Sequence, residues 1–225
     1  MMKEWKDATD PRRLAGILDK ALARAYPDVV CPLDFEDPFE CLVATILSAQ
    51  CTDRKVNEAT PTLFRRFPGV DAFAEANPGE IEPLIRSLGL FRRKAADIAA
   101  AARLVRERYG GRVPDTIEEL IELPGVGRKT ANCVILNAYG KPGLMCDTHF
   151  CRVSRRFGLH DLADPDRIEA TIAVLLPSSR WGVFSHRIIQ HGRLVCQARN
   201  PSCETCPASR HCRSRRGKAK RPPEP

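Results

Sequence analysis

Helix starts are written at five dipeptides that set a capping side chain directly before a proline: Asp10-Pro11, Asp37-Pro38, Thr60-Pro61, Asn77-Pro78 and Asp164-Pro165. The Asp, Asn or Thr oxygen accepts a first-turn amide. The proline that follows has a helical φ and no N–H to leave unpaired, so each pair reads as a helix start. Asp37 with Glu40 and Asn77 with Glu80 add capping-box spacing. Behind the first two caps, apolar residues recur at three and four: Leu14, Ile17, Leu18, Ala21 and Leu22, then Leu42, Val43, Ile46 and Leu47. Stops are equally plain, with Gly110-Gly111 ending a helix expected over 93–109 and Gly158 ending one over 149–157. Strand-like alternation is scarce, and the expected fold class is all-α.

At 225 residues the chain is long enough for one large domain or two modest ones. Pro142-Gly143 interrupts the helical pattern and reads as a boundary. The expected division is a central helical unit over 31–141 and a second unit over 142–212, completed by residues 1–30. The remaining segment, 213–225, holds six Lys or Arg against one Glu, five of the net +8 charge, and reads as a disordered basic arm. A positive balance favours a polyanionic partner. The first ten residues are charged and no apolar run approaches a membrane span, so a cytoplasmic protein without membrane attachment is expected. In that compartment ten cysteines point to thiols and a metal site rather than disulfides.

The segment Leu123-Pro124-Gly125-Val126-Gly127-Arg128-Lys129-Thr130-Ala131 joins two helical patterns, 117–123 and 130–139, through a Gly-x-Gly turn. Gly125 and Gly127 can take positive φ and let another backbone come close. The second helix then begins with unpaired amides and the positive end of its dipole, a ready site for a phosphate. Lys129 falls in that first turn. There the dipole, with partial burial, disfavours an ammonium and favours the neutral amine of a nucleophilic lysine.

Cys196, Cys203, Cys206 and Cys212 follow the spacing C-x6-C-x2-C-x5-C behind an apolar helical pattern that ends near Val195. Four thiolates in one short loop suit tetrahedral zinc or a four-iron cluster. A zinc site more often pairs two C-x2-C knuckles, and only one is present here, which favours iron-sulfur. Cys31, Cys41, Cys51, Cys133, Cys146 and Cys151 lack ligand spacing and read as small buried apolar residues.

The Gly-x-Gly turn with its lysine, Asp147 in Cys146-Asp147-Thr148-His149 and the C-terminal cysteine set occur in that order. Together they resemble the endonuclease III family of DNA glycosylases in the helix-hairpin-helix superfamily. The resemblance runs from about Asp34 to Cys212 and takes in Leu47-Ser48-Ala49-Gln50-Cys51-Thr52-Asp53 and Gly89-Leu90-Phe91. It implies two all-α domains, a six-helix barrel and a cluster domain, flanking a cleft for double-stranded DNA. It also implies Lys129 as nucleophile, Asp147 as its carboxylate partner, and a 4Fe-4S cluster on Cys196, Cys203, Cys206 and Cys212. Gln50 and Leu90 match residues that enter the duplex where the damaged nucleotide has left it. Gly125, Val126, Gly127 and Arg128 would hold the DNA backbone, with His149 as a further contact. The implied enzyme is a monomer that removes oxidised pyrimidines and cleaves 3′ to the abasic site, cytoplasmic and held at the nucleoid through DNA.

The chemistry supports these roles on its own terms. A damaged base lies inside the stack, so an enzyme attacking its glycosidic bond must flip the nucleotide out and fill the gap. Gln50 offers hydrogen bonds to an orphaned base and Leu90 an apolar wedge. A neutral Lys129 attacking C1′ gives an iminium, which acidifies the neighbouring position and permits β-elimination. Asp147 reads both as a helix N-cap and as a carboxylate that takes a proton and stabilises a cationic sugar. Two rival readings fit less well. An adenine-removing mismatch glycosylase needs a glutamate where this chain has Thr45, and lacks a lysine at the Lys129 position. A silent DNA-binding or electron-transfer protein needs neither Lys129 nor Asp147.

Overall fold

The computed structural model describes residues 10–215. Trp5 and most of the expected basic arm, 216–225, lie outside the described residues. Eleven α-helices carry the described chain: α1 Pro11–Ala25, α2 Pro38–Leu47, α3 Asp53–Arg66, α4 Gly69–Glu75, α5 Pro78–Ile85, α6 Phe91–Tyr109, α7 Ile117–Leu120, α8 Arg128–Tyr139, α9 Thr148–Phe157, α10 Pro165–Ala173 and α11 Ser178–Leu194. Short 3-10 turns follow α5 and occur at Ser209–His211, and no strand occurs among the described residues.

Four of the five cap-proline pairs start helices. Asp10, Asp37, Asn77 and Asp164 each accept a first-turn amide, and Asn77 with Glu80 forms a complete capping box. At Asp37 the box shifts by one residue, because the Glu40 carboxylate accepts from the Glu36 amide at 2.8 Å. Thr60-Pro61 is the exception: Pro61 lies inside α3. Val56, Thr60 and Leu63 form one buried face that runs across the proline, and their burial outweighs the local stop signal. The helical pattern expected over 117–123 shortens to α7, with turns from Ile121 to Leu123. Gly110, Gly111 and Gly158 end their helices at positive φ.

The chain divides into two compact units, Cys31–Lys141 and the segments on either side of it. In the central unit, Phe73 on α4 packs against Phe39, Phe64 and Phe67 at ring separations of 5.4, 6.5 and 5.4 Å. The α6 face Ala95, Ile98, Ala102 and Val105 is fully buried in the same core. The other unit joins α1 to α9–α11 around Leu18, Leu22, Phe150, Phe157, Phe184 and Ile188. An ion-pair network reinforces that join. Asp19 on α1 accepts two hydrogen bonds from Arg180 of α11, at 2.9 and 3.0 Å, and lies 3.7 Å from the Arg187 guanidinium.

Candidate active site and cysteine loop

Leu123 to Gly127 connects α7 to α8 as a tight turn, with the Val126 amide bonded to the Leu123 carbonyl at 3.1 Å. The two glycines play different parts. Gly125 has φ +76°, and a Cβ there would stand 2.9 Å from the Asp97 Cβ on α6, so the turn requires glycine both for its backbone and for its neighbour. Gly127, contrary to the positive φ expected of it, has φ −94° and ψ 175°, with nothing within 4 Å of a built Cβ. Val126 is buried beneath the turn, while Gly125, Gly127, Arg128 and Lys129 are exposed. No side chain caps α8, so its first-turn amides keep their capacity for an anion. Lys129 is the second residue of the helix. Its exposure corrects the partial burial expected for it: the protein's own packing does not desolvate this amine.

The two proposed insertion residues share an uncommon conformation. Gln50 has φ +54° and Leu90 φ +48°, both in the left-handed region that disfavours non-glycine residues, and both are exposed. Leu90 shows 54% of its surface. Behind it, Lys94 is almost fully buried and its Nζ donates to the Leu88 carbonyl at 2.9 Å. Burial lowers the Lys94 pKa. This lysine was not among the sequence candidates, although a charged residue on the buried stripe of Ile98 and Val105 is a legible signal.

In the other unit Asp147 is the N-cap of α9, its carboxylate accepting the Phe150 amide at 2.7 Å. His149 is half-buried and its Nδ1 lies 3.2 Å from the Arg152 guanidinium.

Cys196, Cys203, Cys206 and Cys212 line one cavity of about 460 Å³. Two arginines of α9 grip the loop. Arg152 donates to the carbonyls of Gly192 and Cys196, and Arg156 to those of Gln197 and Ala198 at 2.6 and 2.9 Å. The Arg156 guanidinium also lies 3.4 Å from the Cys196 sulfur. Arg215 donates to the Cys203 carbonyl. From the other side, His191 Nε2 stands 3.5 Å from the Cys206 sulfur, while its Nδ1 is 2.9 Å from the Tyr26 hydroxyl and Phe157 stacks on its ring. Burial depresses the His191 pKa to about 4. Burial raises Cys206 to about 11 and raises Cys212, and in both cases the neighbouring loop thiols add to the rise. Thiols held this way favour the protonated form until a cation displaces the proton. Among the described residues, no three His, Cys, Asp or Glu side chains converge on a single-ion site.

Residues 43–178 match the family described as HhH-GPD superfamily base excision DNA repair protein. A curated endonuclease III from Synechocystis sp. is 48% identical over 210 residues, covering 93% of this chain and 95% of that relative. Among solved structures, a non-covalent endonuclease III–DNA complex superposes with TM-score 0.87 at 38% identity, covering 94% of this chain and 99% of the other. A trapped endonuclease III–DNA covalent intermediate gives TM-score 0.88 at 37% identity, covering 93% and 99%. No described helix is long and apolar enough to cross a membrane.

Proposed function

We propose that Lys129 and Asp147 carry the reaction in a chain that belongs to the HhH-GPD superfamily of base excision DNA repair proteins, and within it to the endonuclease III enzymes. The activity is that of a bifunctional DNA glycosylase and AP lyase. Its substrate is double-stranded DNA carrying an oxidised pyrimidine or an abasic site. The observation that carries the assignment is Lys129 at the second position of an uncapped helix, directly behind a glycine turn open to a phosphate. The relative caught as a covalent DNA intermediate supports the same chemistry.

Gly127 and the first-turn amides of α8 take the DNA backbone, with Arg128 adding charge. Gln50 and Leu90 fill the space left by the extruded nucleotide. Their left-handed backbones, strained by roughly 1–3 kcal/mol each, persist because the surrounding fold holds them, as the buried Lys94 does for the Leu88 carbonyl. The neutral amine of Lys129 attacks C1′, the base departs with the glycosidic electron pair, and the bond between Nζ and the sugar becomes an iminium. Proton loss from the adjacent carbon expels the 3′ phosphate. Water then releases the lysine. The Asp147 carboxylate takes a proton from Lys129 and offsets the positive charge of the opened sugar. DNA itself supplies the desolvation that the exposed amine lacks in the free protein.

Cys196, Cys203, Cys206 and Cys212 are proposed to hold a 4Fe-4S cluster. Their C-x6-C-x2-C-x5-C spacing, with a single C-x2-C knuckle, supports a polynuclear group over zinc, and all four cysteines line one cavity. The donor set fits an anionic cluster: Arg156 faces Cys196, and His191 faces Cys206. A ligated thiolate only accepts hydrogen bonds, so His191 Nε2 carries the proton and Tyr26 donates to Nδ1. Bound, the group cross-links the C-terminal loop and leaves the sugar chemistry to Lys129.

Borohydride reduction tests the central step. A covalent protein–DNA adduct is expected on thymine-glycol and abasic duplexes and is absent from Lys129→Ala. Failure of the parent protein to trap on either duplex overturns the lyase assignment. Iron analysis tests the cluster, with about four irons per chain and broad visible absorbance expected. A colourless protein with one zinc overturns it.

A further inference from the structure

The last residue of α1 is followed by Tyr26, whose hydroxyl reaches His191 on α11 across 165 positions of sequence, 2.9 Å from Nδ1. The other ring nitrogen, Nε2, stands 3.5 Å from the Cys206 sulfur. His191 is fully buried, stacked on Phe157 at a ring separation of 5.7 Å and met edge-on by the Tyr26 ring at 5.9 Å, so the imidazole cannot turn away. Tyr26 is itself pinned. Its amide donates to the Leu22 carbonyl at 2.8 Å, and its carbonyl accepts from Arg187 Nε at 3.1 Å, one turn before His191 on the same helix. These residues all belong to the unit outside Cys31–Lys141, the one that carries the cysteine loop.

A histidine buried only for its bulk has no need to place one nitrogen on a tyrosine and the other on a ligand sulfur. We propose that Tyr26 is a positioning residue for the cluster, acting through His191 to raise its reduction potential; this rests on the 4Fe-4S reading of the four cysteines. A neutral imidazole has one N–H and one bare nitrogen, and the two tautomers exchange these places. The Tyr26 hydroxyl donates to Nδ1 and so keeps the proton on Nε2, aimed at the Cys206 thiolate. Without that hydroxyl the Nδ1–H tautomer becomes accessible, and a bare Nε2 then faces the sulfur.

Reduction adds one electron to the cluster, and part of the added charge rests on the cysteine sulfurs. An N–H dipole aimed at sulfur stabilises that reduced level more than the oxidised one, which raises the potential. Arg156, 3.4 Å from the Cys196 sulfur, supplies a second donor that does not depend on Tyr26. The relay therefore acts on the Cys206 corner alone.

The test compares the iron-loaded full-length protein with Tyr26→Phe, which keeps the ring and loses only the hydroxyl. Protein-film voltammetry is expected to show a more negative midpoint potential in the variant, and ferricyanide is expected to bleach its visible absorbance several-fold faster. Voltammetry reads only loaded molecules, so a change in loading does not mimic the shift. Borohydride trapping on abasic duplex is expected to stay unchanged, because the sugar chemistry is assigned to Lys129. His191→Gln has no tautomer to fix, and adding Tyr26→Phe to it is expected to produce no further shift. Equal potentials and equal bleaching in the parent and Tyr26→Phe overturn the proposal. So does a Tyr26→Phe shift of the same size in the His191→Gln background. A parent protein without iron overturns the cluster reading and this inference with it.

Discussion

Alanine placed at Gly125 and at Gly127 is expected to separate the glycine that shapes the turn from the glycine that faces a ligand. Gly125→Ala forces an L-residue into the left-handed region at φ +76°, which costs roughly 1–2 kcal/mol. The added Cβ also meets the Asp97 Cβ at 2.9 Å. That atom is anchored to α6 and cannot swing aside, so relief requires a shift of turn or helix, at roughly 1–3 kcal/mol. The sum is about 3 kcal/mol, or a fall in Tm of roughly 6–12 °C for a chain of this size. Gly127→Ala adds a methyl at φ −94° into open space, and its stability change is expected to stay within about 1 kcal/mol. Its effect falls on binding, because the methyl projects where the DNA backbone is proposed to approach. Thermal unfolding followed by circular dichroism, paired with fluorescence anisotropy on a duplex carrying an abasic-site analogue, reads both quantities. Equal stability losses in the two variants refute the assignment of Gly125 as the conformational glycine. Unchanged affinity in Gly127→Ala refutes the contact with phosphate.

Asp147→Asn keeps an oxygen for the Phe150 amide and loses the charge, so stability is expected to move by no more than about 0.5 kcal/mol while strand cleavage falls roughly 100-fold or more. A single-turnover assay showing unchanged cleavage reduces Asp147 to a cap. Lys94→Met removes the donor on the Leu88 carbonyl, and faster amide exchange over residues 88–91 is expected while the rest of α6 stays protected; unchanged exchange removes Lys94 from the support of Leu90. Stability is expected to fall on acidification below about pH 6.5, because burial depresses His160, His186 and His191 in the folded state and each takes up a proton on unfolding. For His191 the window runs from that ordinary value down to about 4. Urea midpoints at pH 7.5 and 5.5 measure the slope, and His160→Gln is expected to lessen it; a flat profile contradicts the burial of neutral imidazoles.

The helix boundaries were legible because caps and stops are local hydrogen-bonding events. Asp10, Asp37, Asn77 and Asp164 bond amides two or three residues away, and Gly110 and Gly158 reverse the backbone where they stand. Pro61 shows where that logic ends. Its meaning depended on what Val56, Thr60 and Leu63 pack against, which no local window contains. Gly125 and Gly127 look alike in a Gly-x-Gly string, and only the approach of Asp97 from α6 distinguishes them. Lys94 and His191 lay on readable apolar stripes, yet their partners, the Leu88 carbonyl and the pair Tyr26 and Cys206, come from folding.

By itself, the sequence determined an all-α chain, the points where most of its helices begin and end, and a four-cysteine loop behind the last long one. These follow from short-range sterics, capping and spacing along the backbone. Tertiary structure decided which residues are buried beside which. It aimed Thr45 of α2 and Asn137 of α8 at one sulfur, that of Cys133. It also left Lys129 in solvent where a helix-terminal reading had expected partial burial. Desolvation and side-chain contact depend on the whole packed surround, and the order of residues along the chain carries that only after folding.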